Sequence, residues 1–559
     1  MKHVLKTFIF FTSAISVFSI TSCGNYDVDF ATQKTFKVTF SDDFKFDYML
    51  NETISYDGLT VCDSVTNEKI DTYFISPNEG MRLRTPGKVE VTISKDNYKD
   101  YTFSINVEND GTYVETKRID LYSVNDFHGS FLENDEEIGM SKLGAFLKKK
   151  KENGAIILSA GDMWQGGVES NLTKGKIIVD AMNEIGFDAM TVGNHEFDWG
   201  LDVLEENINL MNFPMLGANA YEVETNNRFS FFDPYTIVEK DGVKIGIIGT
   251  GAESLPSDIT YSVSQHLDFK VQVPIIKEYS NILKTREGCD AVILLAHDAG
   301  CYNYEGDPYL YRELCEESTV SYEKYVDGIF LGHDHDEKYG TYYDVPYAEG
   351  GSNGEFVSHI VLELEEQDEG FVVRNGYSET ISTYYSNQFI DEDENIDALL
   401  LKYADELAPA DRVICNFSTF KSKDDILTLL CEAMMSYAND PKNESILIDG
   451  EKVTAAFHNE GGVRSSVSAG DFTYRDLIKT LPFDNTFCIA KLTSDQFDTW
   501  ALGENCYIGA KGEGEFSYIA TINYLADNPE YSPSQKTFDT HIVIQDVFIE
   551  YLEANDDKF

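Results

Sequence analysis

The segment most informative about the architecture is Val192-Gly193-Asn194-His195-Glu196-Phe197-Asp198. It places an amide, an imidazole and a carboxylate directly after the apolar segment 189–192, and this pattern predicts a buried strand that opens into a reactive loop. Taken alone, the loop could equally be a polar turn. Other loops of the same kind decide between these two interpretations.

Four further loops carry metal-binding types of side chain at the ends of apolar segments. These segments are residues 119–124, 155–159, 291–295 and 328–331. The side chains that follow them are Asp126 and His128, Asp162, His297, and His333 with His335. In open α/β sheets ligands bind beyond the carboxyl ends of the strands, so these loops are expected to converge on one place.

Together with Asn194, these side chains make seven candidate metal ligands. They offer carboxylate, imidazole and amide groups and no cysteine, a set that suits Zn, Mn, Co or Fe and does not choose among them. One carboxylate can bridge two ions. The set therefore predicts two divalent metal ions, as in two-metal phosphoester hydrolysis.

The net charge of −53 limits the possible partners. So acidic a chain repels phosphate at long range, which argues against nucleic-acid binding. An anionic substrate would need a locally positive site, and bound metal ions are the obvious source.

Residues 1–23 have the pattern of a bacterial lipoprotein signal peptide. Lys2 and Lys6 flank the start of an apolar run from Phe8 to Ile20, and Cys23 follows Ile-Thr-Ser. We predict that Cys23 is lipidated and anchors an extracytoplasmic protein to a bacterial membrane. The other eight cysteines form no CxxC pair, so the sequence leaves their disulfide pairing open.

The 559 residues are too many for one core and suggest about three domains. Residues 25–115 alternate apolar and polar side chains, which predicts a β-sandwich and favours a spacer. Residues 117–390 alternate strand and helix patterns, typical of an α/β domain. A linker helix is expected over 391–410, because apolar residues fall on one helical face, and a second α/β segment over 411–559.

The loop series resembles the calcineurin-like metallophosphoesterases, and residues 161–166, 171–175 and 193–198 are similar to their 5′-nucleotidase and UDP-sugar hydrolase branch. The resemblance covers about residues 117–530. It implies an α/β (α+β sandwich) metallophosphoesterase domain, here with an N-terminal β-sandwich and a C-terminal α/β nucleotide-binding domain. One metal would be held by Asp126, His128, Asp162 and His335. The other would be held by Asp162, Asn194, His297 and His333, with Asp162 bridging.

The same resemblance implies that His195 and Asp198 are a catalytic pair, with a protonated His195 stabilising the charge that develops on the substrate and helping to protonate the leaving alkoxide. It also implies substrate-binding residues in the second domain. Asn459 and Arg464 belong to an Asn-x-Gly-Gly-x-Arg phosphate loop, and Phe483 and Tyr524 would sandwich the base. They are joined by Glu530, which stands where the family usually has a Gly-Gly-Asp segment and here follows Asn528 and Pro529.

From these features we predict an extracytoplasmic two-metal phosphohydrolase that releases phosphate from nucleoside 5′-monophosphates or related nucleotides. A 2′,3′-cyclic-nucleotide phosphodiesterase or a UDP-sugar hydrolase could use the same metal centre. A non-catalytic surface lipoprotein that binds a partner through its β-sandwich is the alternative of another class. The sequence does not indicate the oligomeric state.

Overall fold

The computed structural model describes residues 34–559 except 78, 84, 96, 110, 112–114, 135–136, 300–313, 316–323, 369, 503–504 and 528–535. The signal segment, Cys23 and Glu530 lie outside the described residues. Within the described part, no helix is long and apolar enough to cross a membrane.

Seven strands form two small sheets at the N-terminal end. They are β1 to β7: Lys34–Phe40, Asp47–Met49, Leu59–Asp63, Phe74–Ser76, Gly87–Ser94, Tyr98–Lys99 and Tyr101–Glu108. One sheet has the order β3-β1-β6 and the other β2-β7-β5-β4. In β7, Ile105 and Val107 are buried while Asn106 and Glu108 are exposed. The alternation in the sequence thus corresponds to an inner and an outer face, as a β-sandwich requires.

The central region contains two six-stranded sheets. Its strands are β8 to β21: Lys117–Val124, Ile156–Ser159, Ala189–Thr191, Met215–Leu216, Ala220–Glu222, Tyr235–Lys240, Val243–Gly251, Leu267–Phe269, Ala291–Ala299, Gly328–Gly332, Glu337–Tyr342, Val345–Gly350, Phe356–Glu366 and Phe371–Ser382. The sheet orders are β11-β10-β9-β8-β20-β21 and β13-β14-β16-β17-β19-β18. Leu158 of the first sheet and Leu295 and Phe330 of the second belong to one buried cluster, so the sheets pack face to face. The predicted α+β sandwich is confirmed.

Helices cover the outer faces of these sheets. They are α1 to α6: Met140–Glu152, Val168–Thr173, Lys176–Ile185, Gly200–Leu210, Tyr261–Ser264 and Gln272–Thr285. Helices α1 and α3 are two of the helices that the alternating pattern of residues 117–390 predicts. α3 ends at Gly186, whose φ of 85° lies in the left-handed region that favours glycine.

The linker differs from the single helix that was predicted. It consists of three one-turn helices, α7 to α9: Glu394–Asp397, Leu399–Lys402 and Ala404–Leu407. The helix is interrupted at Tyr403, which leaves helical geometry with φ −103° and ψ 19° and whose hydroxyl donates to Asp180 Oδ2 at 2.6 Å. The predicted apolar face is nevertheless correct, because Ile396 and Tyr403 are buried against the core of the central region.

The C-terminal region has its own core. Its strands are β22 to β28: Val413–Phe417, Ala455–Asn459, Gly470–Thr473, Thr486–Thr493, Asn505–Gly509, Phe516–Ile522 and Lys536–Val543. Its helices are α10 to α14: Lys423–Asn439, Tyr474–Thr480, Ser494–Leu502, Asn523–Asp527 and Ile544–Ala554. Five strands form a sheet in the order β26-β23-β27-β25-β28. A reciprocal capping box between Ser422 and Asp425 fixes the start of α10.

Hydrogen bonds between side chains join the N-terminal sheets to the central region. Ser76 Oγ donates to Glu379 Oε2 at 3.0 Å, and Thr85 Oγ1 donates to Glu363 Oε1 at 2.7 Å. Behind this contact His359 lies between two carboxylates, with Nδ1 2.9 Å from Glu379 and Nε2 2.8 Å from Asp120. The β-sandwich is therefore attached to β20 and β21 by specific side chains.

Candidate metal centre and active site

The five predicted loops meet at the carboxyl ends of the strands. Strands β8, β9 and β10 pair in parallel, as do β14, β16 and β17, so their carboxyl ends lie on the same edge of each sheet. The loops after β8, β9, β10 and β17, and the end of β16, carry the seven candidate ligands. The structure brings all seven into two adjoining groups.

The first group consists of Asp126, His128 and His335, whose ligand atoms all lie within 4.8 Å of one another. His128 Nε2 lies 3.0 Å from His335 Nε2, and His335 Nε2 lies 3.5 Å from Asp126 Oδ1. These nitrogen and oxygen atoms are therefore close enough together to bind one metal ion.

The second group consists of Asp162, His297 and His333, again with ligand atoms within 4.8 Å of one another. Asn194 completes it, because its Oδ1 lies 3.1 Å from both His297 Nε2 and His333 Nδ1. Asp162 Oδ2 lies 3.1 Å from His297 Nε2.

The hydrogen bonds of the histidines fit a metal site. His297 Nδ1 lies 2.8 Å from the carbonyl oxygen of Ala160, and His128 Nδ1 lies 3.1 Å from that of Gln165. If each Nδ1 donates to its carbonyl, each Nε2 is left free to bind an ion, which is the usual arrangement around a metal-binding histidine. The donor set of carboxylate, imidazole and amide oxygen suits divalent cations.

The electrostatics of Asp126, His128 and His333 also suit a cation. Burial lowers the pKa of His128 to about 3 and that of His333 to about 4, so both rings are neutral, as ligands must be. Burial raises the pKa of Asp126 to about 7, because no described cation compensates its charge fully. A bound divalent ion would supply the missing positive charge. At His297 burial opposes the positive charge, but the carboxylate of Asp162 outweighs burial and raises the pKa of His297 to about 10, so this ring would have to lose its proton when a metal binds.

The backbone of these loops is unusual at the candidate ligands themselves. Five of the seven have φ in the left-handed region, from 47° to 100°: Asp126, His128, Asp162, His333 and His335. Such conformations are uncommon for non-glycine residues and cluster at functional sites. Gly193 allows two loops to touch, since a Cβ there would lie 2.2 Å from Asp162 Oδ1.

Glu196 joins the loop after β9 to the loop after β10, a role that the sequence pattern did not predict. Its carboxylate accepts hydrogen bonds from the main-chain N–H groups of Asp162 at 3.0 Å, Met163 at 2.8 Å and Gly193 at 2.8 Å. A charged residue buried in a loop two positions from a candidate ligand is the signal that could have identified it.

His195 and Asp198 lie beside the two groups, and the ring centre of His195 is 5.1 Å from that of His128. His195 Nδ1 lies 2.8 Å from Asp198 Oδ2, and both side chains are largely buried. Burial disfavours the imidazolium, but the carboxylates of Asp198 and Asp162 outweigh burial and raise the pKa of His195 to about 9. His195 is therefore a charged proton donor at neutral pH.

A cavity of about 720 Å³ opens next to this pair and is lined by both the central and the C-terminal regions. Four of the five predicted substrate-binding residues line it: Asn459, Arg464, Phe483 and Tyr524. The fifth, Glu530, lies outside the described residues. Lys174 also lines the cavity.

Arg464 is the main positive charge at this cavity. No carboxylate among the described residues lies within ion-pair distance of it, and its guanidinium lies 5.0 Å from the centre of the Phe483 ring. Burial without a partner lowers the pKa of Arg464. Asn459 Oδ1 is also buried and has no hydrogen-bond partner within the described part of the chain. Both groups are thus available to a polar ligand.

Comparisons with known proteins agree with this geometry. Residues 121–337 match the calcineurin-like phosphoesterase family, and residues 410–549 match the 5′-nucleotidase C-terminal domain. The chain is 26% identical to the protein UshA of Yersinia enterocolitica over 75% of this chain and 81% of that one. It is 27% identical to a 5′-nucleotidase of Vibrio cholerae over 66% of this chain and 72% of that one.

Solved structures share the fold. A 5′-nucleotidase precursor from Thermus thermophilus superposes with a TM-score of 0.62 at 17% identity, over 78% of this chain and 96% of that chain. A putative 5′-nucleotidase from Staphylococcus aureus gives a TM-score of 0.58 at 19% identity, over 79% and 97%. Residues 121–337 therefore belong to the calcineurin-like phosphoesterases and residues 410–549 to the 5′-nucleotidase C-terminal domains, and the chain is a hydrolase of phosphoric ester bonds.

Proposed function

We propose that this chain is a two-metal phosphohydrolase that releases phosphate from nucleoside 5′-monophosphates. One observation carries the proposal: the two candidate ligand groups adjoin His195 at a cavity that Arg464 and two aromatic rings also line. Metals, a proton donor, a phosphate-binding cation and base-stacking rings are what hydrolysis of a nucleotide needs in one place.

The division of work between the metals and the protein is as follows. When bound, the two ions supply Lewis-acid chemistry, which neutralises charge on the phosphoryl oxygens and makes a water acidic enough to attack phosphorus. His195 donates a proton to the ester oxygen as its bond to phosphorus breaks, so that the nucleoside leaves as an alcohol. Asp198 holds the ring of His195 in place and keeps it protonated.

The C-terminal region binds the substrate. Arg464 pairs with phosphate oxygens, because a guanidinium offers two parallel donors to such a group. Phe483 and Tyr524 are both half-buried and line the cavity, a position that suits stacking on a nucleobase better than a role in the core. Glu530 would accept a hydrogen bond from a ribose hydroxyl.

We also propose the domain organisation and location inferred from the sequence. Residues 1–23 act as a lipoprotein signal, Cys23 carries the lipid anchor, and residues 25–115 hold the enzyme away from the membrane. The catalytic domain spans 117–390, a linker spans 391–410, and the substrate-binding domain spans 411–559. Mass spectrometry of the membrane fraction would find a diacylglyceryl-modified Cys23, and an unmodified, cleaved chain in the soluble fraction would contradict it.

A UDP-sugar or another diphosphate is the second candidate substrate, and one observation favours it. A further cavity of about 580 Å³ opens on the side of His128 and His335 and is lined by Arg464 and Lys479. This space could hold a group attached to the far side of the scissile phosphate.

Hydrolysis of a panel of substrates, with the products separated by chromatography, would distinguish these activities, because cyclic nucleotides and UDP-glucose give phosphomonoesters and not free phosphate. The chain without residues 1–23, reconstituted with Mn²⁺ or Zn²⁺, would be given 5′-monophosphates, 2′,3′-cyclic nucleotides, UDP-glucose and an aryl phosphate. Fastest hydrolysis of 5′-monophosphates supports the proposal. Hydrolysis of the aryl phosphate alone would keep the phosphoesterase and remove the nucleotide assignment.

A further inference from the structure

Two side-chain amides of the catalytic region converge on one carbonyl oxygen of the C-terminal region. Gln165 Nε2 donates to the carbonyl oxygen of Pro482 at 3.0 Å, and Asn171 Nδ2 donates to the same oxygen at 2.9 Å. Gln165 is only 2% exposed. A carbonyl oxygen has two lone pairs, so these two donors satisfy it completely.

The accepting carbonyl belongs to the segment Leu481-Pro482-Phe483. Within the C-terminal region, Gln545 Nε2 donates to the carbonyl oxygens of Leu481 at 2.9 Å and Phe483 at 2.7 Å. The middle carbonyl, that of Pro482, is the one that the catalytic region holds. The segment is thus made rigid by its own region and positioned by the other.

Gln165 and Phe483, the residue after Pro482, each contact a residue of the candidate active site. The main-chain carbonyl of Gln165 lies 3.1 Å from Nδ1 of the candidate ligand His128. The ring of Phe483 stacks on His195, with ring centres 5.9 Å apart and an angle of 24°. The pair of amides therefore sets the distance between the base-stacking ring and the groups that act on phosphate.

Two other contacts between the two regions do not involve residues 481–483. They are a small apolar cluster, formed by Val168, Ala410 and Ile478, and an ion pair of Arg475 with the buried Glu169. Apolar contacts are non-directional, whereas two hydrogen bonds to one oxygen have strict geometry.

We propose that Gln165 and Asn171 are positioning residues that make the enzyme selective for phosphate esters carrying a nucleobase. By binding the carbonyl oxygen of Pro482, they hold the Phe483 ring at a fixed distance from the groups that act on phosphate. This distance matches the separation of the base from the 5′-phosphate in a nucleotide. A misplacement of about 1 Å can cost a large factor in rate, so loss of the dock penalises substrates that use the ring. This inference rests on the proposed nucleotidase function.

Two variants remove the donors with little other change. Gln165→Met keeps the length of the side chain and the main-chain carbonyl that faces His128. Asn171→Asp keeps the oxygen that accepts from Gly166 N at 2.9 Å but replaces the donor to Pro482. Thr173→Val is a matched control, because its hydroxyl bonds only to the main chain within the catalytic region. If one of the two variants fails to fold, the other decides.

The experiment compares kcat/KM for AMP with kcat/KM for 4-nitrophenyl phosphate, together with Mn²⁺ binding, in the mature chain. We expect the ratio to fall about 3- to 10-fold in each single variant, mainly through KM for AMP, and about 10- to 100-fold in the double variant. Mn²⁺ binding should be unchanged, and Thr173→Val should keep the ratio.

An unchanged ratio in folded variants, or a parallel loss on both substrates together with Mn²⁺ binding, would overturn the inference. Failure of the nucleotidase proposal is recognised separately. In that case the wild-type chain itself shows no preference for AMP over 4-nitrophenyl phosphate, and the inference falls with it.

Discussion

His195 Nδ1 and Asp198 Oδ2 lie 2.8 Å apart, and this contact keeps the imidazole charged beside the candidate metal groups. Replacing Asp198 by asparagine should therefore reduce proton donation to the leaving group. We expect kcat for AMP to fall about 100-fold or more, since general acid catalysis contributes about 10²- to 10⁴-fold. Metal content, measured by mass spectrometry of the dialysed protein, should stay the same. The exposed Asp202→Asn is the control, and equal loss of metal and turnover in Asp198→Asn would contradict this role.

Glu196 fixes the two loops that carry Asp162 and Asn194. In Glu196→Gln, one carboxylate oxygen becomes an amino group that faces main-chain N–H donors instead of accepting from them. The affinity for Mn²⁺, measured by calorimetry, should fall about 10- to 100-fold, as found for outer partners of metal ligands in other proteins. The exposed Glu205→Gln should bind Mn²⁺ like the wild type. Full Mn²⁺ affinity in Glu196→Gln would show that the loops hold their shape without it.

Among the residues that the structure describes, Arg464 has no carboxylate partner, and it lines the cavity, so its charge is available to phosphate. Arg464→Ala should lower kcat/KM for AMP about 10- to 100-fold, because a hydrogen bond to a charged group is lost. Arg464→Lys should recover only part of this loss, since an ammonium cannot form two parallel bonds. Arg412→Lys, a surface residue paired with Glu553, is the matched control. Full activity of Arg464→Lys would argue against two-point contact.

Phe483 and Tyr524 are expected to stack on the base. Alanine at either position should lower kcat/KM for AMP about 5- to 150-fold, the range that corresponds to about 1–3 kcal/mol per stacked base. Ribose 5-phosphate has no base, so its hydrolysis should change much less. A similar loss on both substrates, with a lower melting temperature, would indicate that the rings belong to the core.

The buried His359 makes stability depend on pH. Burial opposes its charge, but hydrogen bonds with Asp120 and Glu379 raise the pKa of His359, while the charged ring lowers the pKa of both carboxyls against the effect of their burial. The contribution of a raised histidine pKa is present below the unfolded value of about 6.5 and is lost as pH rises through the folded value. The contribution of a depressed carboxyl pKa is present above about pH 4 and is lost on acidification.

The stability advantage of the wild type over His359→Gln should therefore be largest between about pH 5 and 6.5. It should shrink at higher and at lower pH. Urea unfolding of both proteins across this range measures it, with the exposed His541→Gln as the control. A difference between wild type and His359→Gln that does not vary with pH would contradict the charged state of the ring.

The sequence predicted the parts of the site that depend on local pattern. Apolar segments followed by Asp126, Asp162 or His297 identify strand ends, and parallel strands bring their ends together, so the convergence of the loops could be foreseen. The roles of Phe483 and Arg464 were predicted only from the resemblance to the 5′-nucleotidase family. Nothing in the local sequence pattern distinguishes Phe483 from a core residue or Arg464 from a surface residue.

The parts that failed depend on contacts distant in sequence. Tyr403 interrupts the predicted linker helix at a point where its hydroxyl bonds to Asp180, which lies 223 residues earlier in the chain. Gln165 and Asn171 reach Pro482 over more than 300 residues. Helical periodicity and loop composition carry no information about such partners.

The most direct test of the account is metal stoichiometry measured together with turnover. The chain without residues 1–23 would be stripped with a chelator and titrated with Mn²⁺ while phosphate release from AMP is followed. We expect no activity after stripping and full recovery only when two equivalents per chain are bound. Activity that survives removal of the metal, or that is complete at one equivalent, would contradict a two-metal mechanism.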